Sequence, residues 1–276
     1  MKGFLFIKII NKFINTSKQI IKNKPVEYAK IEINNGHDNV QLTKIKEPVE
    51  NNKSSIFARM KEVITSKMIN LNKNTVQELE EADLPEFIDK SQKIISEGIG
   101  IPRGFYARIF PAEMDNNTAM YYDQASNTIS INWDILDNSK STLFLYLRHE
   151  IEHQKQMYDI FRTEGLGEEV VKYFVKLQTD EVIKNDNTIT PQKIREINLD
   201  FTNRYEKHRQ KVIEKMGLIP KDSKQAKIAK ENWKSSIKYS DDNAGYKAAV
   251  LAQHEQDAYA AGFVGYIEYI VAKWIK

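Results

Sequence analysis

The strongest chemical signal in the chain is the run His149-Glu150-Ile151-Glu152-His153, which has the form H-E-x-x-H. On a helix, residues four apart lie on one face one turn apart, so His149 and His153 can offer imidazole nitrogens to a single ion. Glu150 then projects beside them, toward a water bound on that ion. A pair of neutral imidazoles suits Zn²⁺, which lowers the pKa of its water toward about 7. Glu150 would accept the water proton and pass it to a leaving nitrogen. This spacing therefore predicts metal-assisted hydrolysis.

Catalytic zinc normally keeps three protein ligands and one open position, so a third ligand has to come from elsewhere. The chain has no cysteine, which excludes thiolate zinc sites, iron–sulfur clusters, disulfides and a cysteine nucleophile, and leaves His, Asp or Glu. His37 falls in a low-complexity arm and His208 in a charged helix. The segment Gln253-His254-Glu255-Gln256-Asp257-Ala258-Tyr259-Ala260-Ala261-Gly262 instead puts candidate ligands into a small-residue helix. With Glu255 as the ligand, its helical face continues through Ala258, Gly262 and Gly265, a groove that lets the metal-bearing helix approach closely enough for a short carboxylate arm. His254 and Asp257 lie on the adjoining face and stand as alternatives to Glu255. In the Glu255 arrangement, Asp257 is a candidate acceptor for a ligand imidazole.

The elements that must position these residues follow from apolar periodicity. Short β-rich runs cover 105–110, 119–123 and 128–133, and the last two read as a hairpin across the polar turn 124–127. The H-E-x-x-H run lies in a helix expected over about 141–162, ended by Gly165 and Gly167. Helical spacing continues over 168–183, 191–216, 223–237 and 244–275, and precedes the strands over 56–68 and 76–95, with Pro85 interrupting the latter. The expected fold class is α+β, mainly α-helical with a small β-sheet, and a helical insertion at about 165–243 separates the metal motifs. Residues 22–55 lose this periodicity and read as an arm or linker. Before them, Phe6, Ile10, Phe13 and Ile20 recur among lysines as an amphipathic helix suited to a membrane surface or a partner. The expected division is an N-terminal segment and arm over 1–55 and one domain over 56–276.

Composition narrows the function classes. The 276 residues are 41% hydrophobic and 29% charged, an ordinary globular balance with enough length to bury a core. A formal net charge of +3 is too small for a dedicated nucleic-acid binder. Lys221, Lys224, Lys227, Lys230, Lys234 and Lys238 do line up along a helix, but beside an apolar stripe of Ala226, Ala229, Trp233 and Ile237. They read as the solvated face of an amphipathic surface helix; contact with an anionic surface, including nucleic acid, is the sharper alternative. No apolar run approaches the length of about 18 residues that a membrane span needs. The run Phe4-Leu5-Phe6-Ile7 is broken by Lys8, with no cleavage site after it, so no secretory signal is expected.

The hairpin, the H-E-x-x-H helix followed by Gln156, and the later E-x-x-A element Glu255-Gln256-Asp257-Ala258 together resemble zincin metallopeptidases, especially the compact bacterial and phage proteins of the ImmA/IrrE-like kind. The resemblance covers roughly 98–156 and 248–265. It implies a zincin-like core, one zinc ion on His149, His153 and Glu255, and Glu150 as the catalytic base. The implied reaction is peptide-bond hydrolysis in a protein or peptide substrate, held as an added strand along a sheet edge. Its expected oxyanion stabiliser is a Tyr, His or Arg, with Tyr158, Tyr173, His208 and Tyr259 as candidates. A cytoplasmic or virion-associated location is expected. The rival reading is a structural or virion-associated phage protein that keeps the fold without proteolysis and docks through its N-terminal segment.

Overall fold

The stretch over 76–95 that reads as a helix interrupted at Pro85 forms two helices, α1 Lys73–Glu81 and α2 Leu84–Gly98. Asp83 caps α2 by accepting from the Glu86 N–H at 2.9 Å, and Pro85 sits in the first turn, where its missing N–H costs nothing. Pro85 thus starts a helix here. This computed structural model describes residues 68–114, 118–124, 126–186, 188–241 and 252–274. All of these belong to the unit Met60–Lys276. The N-terminal segment and arm expected over 1–55 lie outside the described residues, as does all but the last residue of the helix expected over 56–68.

Three strands follow: β1 Arg108–Ala112, β2 Met120–Asp123 and β3 Thr128–Asn132, in the order β1-β3-β2. The expected hairpin is present, with Met120 opposite Ile131 and Tyr122 opposite Ile129 in antiparallel register. β1 pairs with β3 in parallel. Met120, Tyr122, Ile129 and Ile131 are buried, so the alternation that marks the hairpin also marks the face turned to the core.

A short 3₁₀ turn, Trp133–Ile135, leads into α3 Lys140–Phe161, the helix that carries the H-E-x-x-H run. Ser139 caps it, its hydroxyl accepting from the Thr142 N–H at 3.3 Å. The insertion is three further helices: α4 Leu166–Asn185, entered through Gly165 at φ +79°, α5 Pro191–Met216 and α6 Lys224–Asp241. On α6, Ala226, Ala229 and Trp233 are buried while Lys224, Lys227, Lys230 and Lys234 are exposed, which is the expected solvated lysine face. The last described helix, α7 Gln253–Trp274, packs along α3. The protein is therefore mainly helical with one small mixed sheet, and among the described residues no helix is long and apolar enough to cross a membrane.

The packing of α7 on α3 depends on the small residues singled out beside Glu255. A Cβ built on Gly262 would stand 2.9 Å from the Leu145 carbonyl oxygen and 3.3 Å from His149 Cβ. One on Gly265 would meet Arg148 Cγ at 3.0 Å. Only residues without a side chain allow this approach, and it brings the first turns of α7 against His149 and His153.

Candidate metal centre

α3 is unusual in burying Arg148, His149, Glu150, Glu152, Gln154 and Gln156 along with its apolar residues. Buried polar groups are costly unless partnered, so their partners reveal what each does. Arg148 Nη1 meets Glu152 Oε2 at 2.8 Å within the helix. Gln154 Nε2 donates to the Phe105 carbonyl at 2.8 Å and to Asn127 Oδ1 at 2.7 Å, and the Tyr158 hydroxyl donates to the same carbonyl at 2.7 Å. These bonds fasten α3 to the segment just before β1 and to the hairpin turn. They leave His149, Glu150 and His153 for other work.

The two histidines and Glu255 converge. His149 Nε2 and His153 Nε2 are 3.1 Å apart, and each lies 3.5 Å from one oxygen of the Glu255 carboxylate. One donor atom from each residue falls within 4.8 Å of the others. Donors on one tetrahedral zinc at bond lengths of about 2.0–2.2 Å stand about 3.3–3.6 Å from one another. The triad therefore has about the size, and the donor set, that zinc takes. Of the three alternatives on α7, Glu255 is the one that joins the imidazoles.

Glu150, next to His149 on α3, faces the same point. Its Oε2 accepts the Tyr122 main-chain N–H of β2 at 2.9 Å, while Oε1 lies 3.8 Å from His149 Nε2. One carboxylate oxygen is thus pinned to the sheet and the other is turned toward the triad. Nothing in the sequence marks the Tyr122 N–H for this role, because a backbone amide leaves no residue-type signal.

Electrostatics ties the triad together. Burial opposes charge on His153, but the Glu255 carboxylate, helped by Glu150 and Gln156, outweighs it and raises the imidazole to about 9. Burial also opposes charge on Glu255, yet the His149 and His153 imidazoles hold its carboxyl well below the usual range. His254 goes the other way: burial, reinforced by His153 and His149, pushes it down to about 4 despite Glu255.

Around the triad, Gln156 Oε1 stands 3.1 Å from His153 Nδ1, and its Nε2 donates to the His254 carbonyl at 3.0 Å. With Gln156 accepting from Nδ1–H, loss of the second ring proton leaves Nε2 as the lone-pair nitrogen on the Glu255 side. Gln156, three residues after His153, was visible in the sequence without an assigned role; the i, i+3 spacing was the available signal. Asp257, the expected second acceptor, takes a hydrogen bond from Gln253 Nε2 at 3.0 Å. Of the four oxyanion candidates, Tyr158 is buried on the Phe105 carbonyl. Tyr173 packs edge-on to Trp233 at 5.2 Å, and His208 lies between Phe105, Tyr158 and Phe161. Tyr259 alone among them stands at the triad, with its half-exposed ring 4.4 Å from that of His149.

No protein-family model matches this chain, and searches of curated proteins and of solved structures find no match either.

Proposed function

We propose that the protein is a zinc-dependent metallopeptidase in which His149, His153 and Glu255 hold the metal and Glu150 is the general base. The observation that supports this most is the convergence of those three side chains, with a fourth, Glu150, turned toward them and held by a main-chain N–H of the sheet. A zinc ion bound there would supply a water acidified to a pKa of about 7 and a Lewis acid for the scissile carbonyl. Glu150, with one oxygen held by the Tyr122 N–H, has its other oxygen available to take a proton from that side and return it to the departing nitrogen. β2 has β3 as its sheet neighbour among the described residues, so its outer edge, next to Glu150, suits an extended peptide added as a strand. Tyr259 is the best placed of the oxyanion candidates. A cytoplasmic or virion-associated location accords with this reading.

The test begins with the full chain stripped by chelator and reloaded, its zinc counted, and a proteome-derived peptide library then offered as substrate. One zinc per chain and new peptide termini are expected. Glu150→Gln should keep the zinc and the fold while activity falls by at least about 10²–10⁴-fold, because an amide cannot accept the proton. Full zinc occupancy with no cleavage by the wild type, and no cellular difference between it and Glu150→Gln, would favour the non-proteolytic virion reading.

A further inference from the structure

We propose that His254 is a positioning residue of the metal centre, and that Ser235, on the last helix of the insertion, acts on the centre through it. The proposal rests on the zinc reading above. His254 is the junction of three contacts. Its Nδ1 is 3.0 Å from Ser235 Oγ on α6. Its Nε2 is 3.6 Å from Glu255 Oε1. Its main-chain carbonyl accepts from Gln156, the amide that also meets Nδ1 of His153. Side chain and backbone of one residue therefore reach two of the three proposed ligands, one on each helix.

The physical logic is that of an outer shell. A carboxylate on a short arm can rotate, and a group beside one of its oxygens limits that rotation. The His254 ring fills this role because it is buried and because Ser235 holds its far edge, which determines how the near edge faces Glu255. The geometry argues against His254 as a ligand in its own right. Its ring nitrogens fall outside the group whose donor atoms converge. The consequence for the fold is that the insertion is more than a spacer: α6 reaches the site through one hydroxyl.

The experiment loads the full chain with Co²⁺ and measures affinity by chelator competition together with the visible absorption of the bound ion, which reports ligand geometry. His254→Ala should weaken binding by about 10–100-fold and alter the spectrum, the range expected for an outer-shell partner. Ser235→Ala should weaken it less, and should add nothing in the His254→Ala background, because its effect passes through the ring. His254→Gln keeps a planar polar group near the Nε2 position and should recover most of the affinity. Ser235→Thr keeps the hydroxyl and should match wild type. Wild-type affinity and spectrum in His254→Ala, or equal losses from Ser235→Ala in both backgrounds, would overturn the proposal. Should His254→Ala fail to fold, a folded Ser235→Ala with wild-type affinity and spectrum overturns it equally. Failure of the wild type to bind Co²⁺ or Zn²⁺ removes the zinc reading itself, an outcome distinct from metal bound tightly and indifferently to His254.

Discussion

Two helices carry like residues at three- and four-residue steps, and only one of them brings those residues together. On α3, His149 and His153 are largely buried and meet Glu255 of α7 across a 3.5 Å gap. On α6, Lys227, Lys230 and Lys234 have the same helical spacing and point to solvent. The difference lies in what faces the stripe. Against α3, Gly262 and Gly265 let a second helix close in, and β2 offers a main-chain N–H to Glu150. Spacing proposes a face, and a fitted partner element with complementary groups turns it into a site.

The largest expected effect breaks the site at its centre. His153→Ala or Glu255→Ala removes one of three proposed ligands, so stoichiometric zinc binding should be lost. With it should go the metal-dependent stabilisation, about 4 kcal/mol when free zinc is a thousand times its dissociation constant. Equilibrium dialysis and thermal melts with and without zinc measure both. Full zinc retention in both variants would reduce α3 to the same standing as α6.

Next in size is the pH dependence that the triad's charges impose. Glu255 holds His153 protonated up to about 9, against an ordinary 6.5, and an incoming ion must displace that proton. Apparent zinc affinity should therefore climb about tenfold per pH unit from 6.5 to about 9 and then level off. Without metal the trend reverses. The raised His153 pKa contributes stability that is fully present below 6.5 and lost as pH rises through about 9. The lowered Glu255 pKa contributes stability present above 4.5 and lost as pH falls below it. The chelator-treated protein should thus melt highest between 4.5 and 6.5, and the zinc-loaded protein should gain most toward alkaline pH. An affinity that stays flat across the upper range would show that Glu255 does not hold the proton on His153.

A smaller effect tests the close approach of α7 to α3. Gly262→Ala puts a methyl 2.9 Å from the Leu145 carbonyl oxygen, which is backbone and cannot swing aside. The helices must separate, at a cost of about 1–3 kcal/mol, and His149 moves with them. Urea titration should register the loss, and zinc affinity should fall alongside it. Unchanged affinity would mean that the triad tolerates a wider gap than the packing implies.

How much of this was legible in the residues depends on whether the signal is local. The His149/His153 pair and the face through Glu255, Ala258, Gly262 and Gly265 are helical periodicities, and both were readable. The hairpin was readable too, from the alternation of Met120 and Tyr122 with Ile129, Ile131 and Trp133, except that Trp133 opens the 3₁₀ turn after β3 and is exposed. β1 was displaced from the expected 105–110 to Arg108–Ala112, because the Phe105 carbonyl is claimed by Gln154 and Tyr158 of a helix far along the chain. The partner of Glu150 is a backbone amide, and Ser235 is one of many serines, so neither could be distinguished by type. Pro85 was legible as the interruption of the stretch over 76–95, and the break falls at Ala82–Asp83, two residues before it, because Asp83 caps the second helix and Pro85 fits its first turn.

The smallest expected effect belongs to the lysine face, and its smallness is informative. Replacing Lys227, Lys230 and Lys234 with Gln takes the formal net charge from +3 to 0 while leaving the buried Ala226, Ala229 and Trp233 of the same helix untouched. Exposed substitutions of this kind change stability by about 0.5 kcal/mol or less each. Zinc affinity should not move, since α6 meets His254 through Ser235 and not through these three lysines. Binding to duplex DNA and to anionic vesicles should be weak in wild type and in the variant alike. A wild-type affinity that falls steeply with salt and disappears in the variant would break the comparison from the α6 side, because an anionic partner would then do for the lysines what α7 and β2 do for His149 and Glu150.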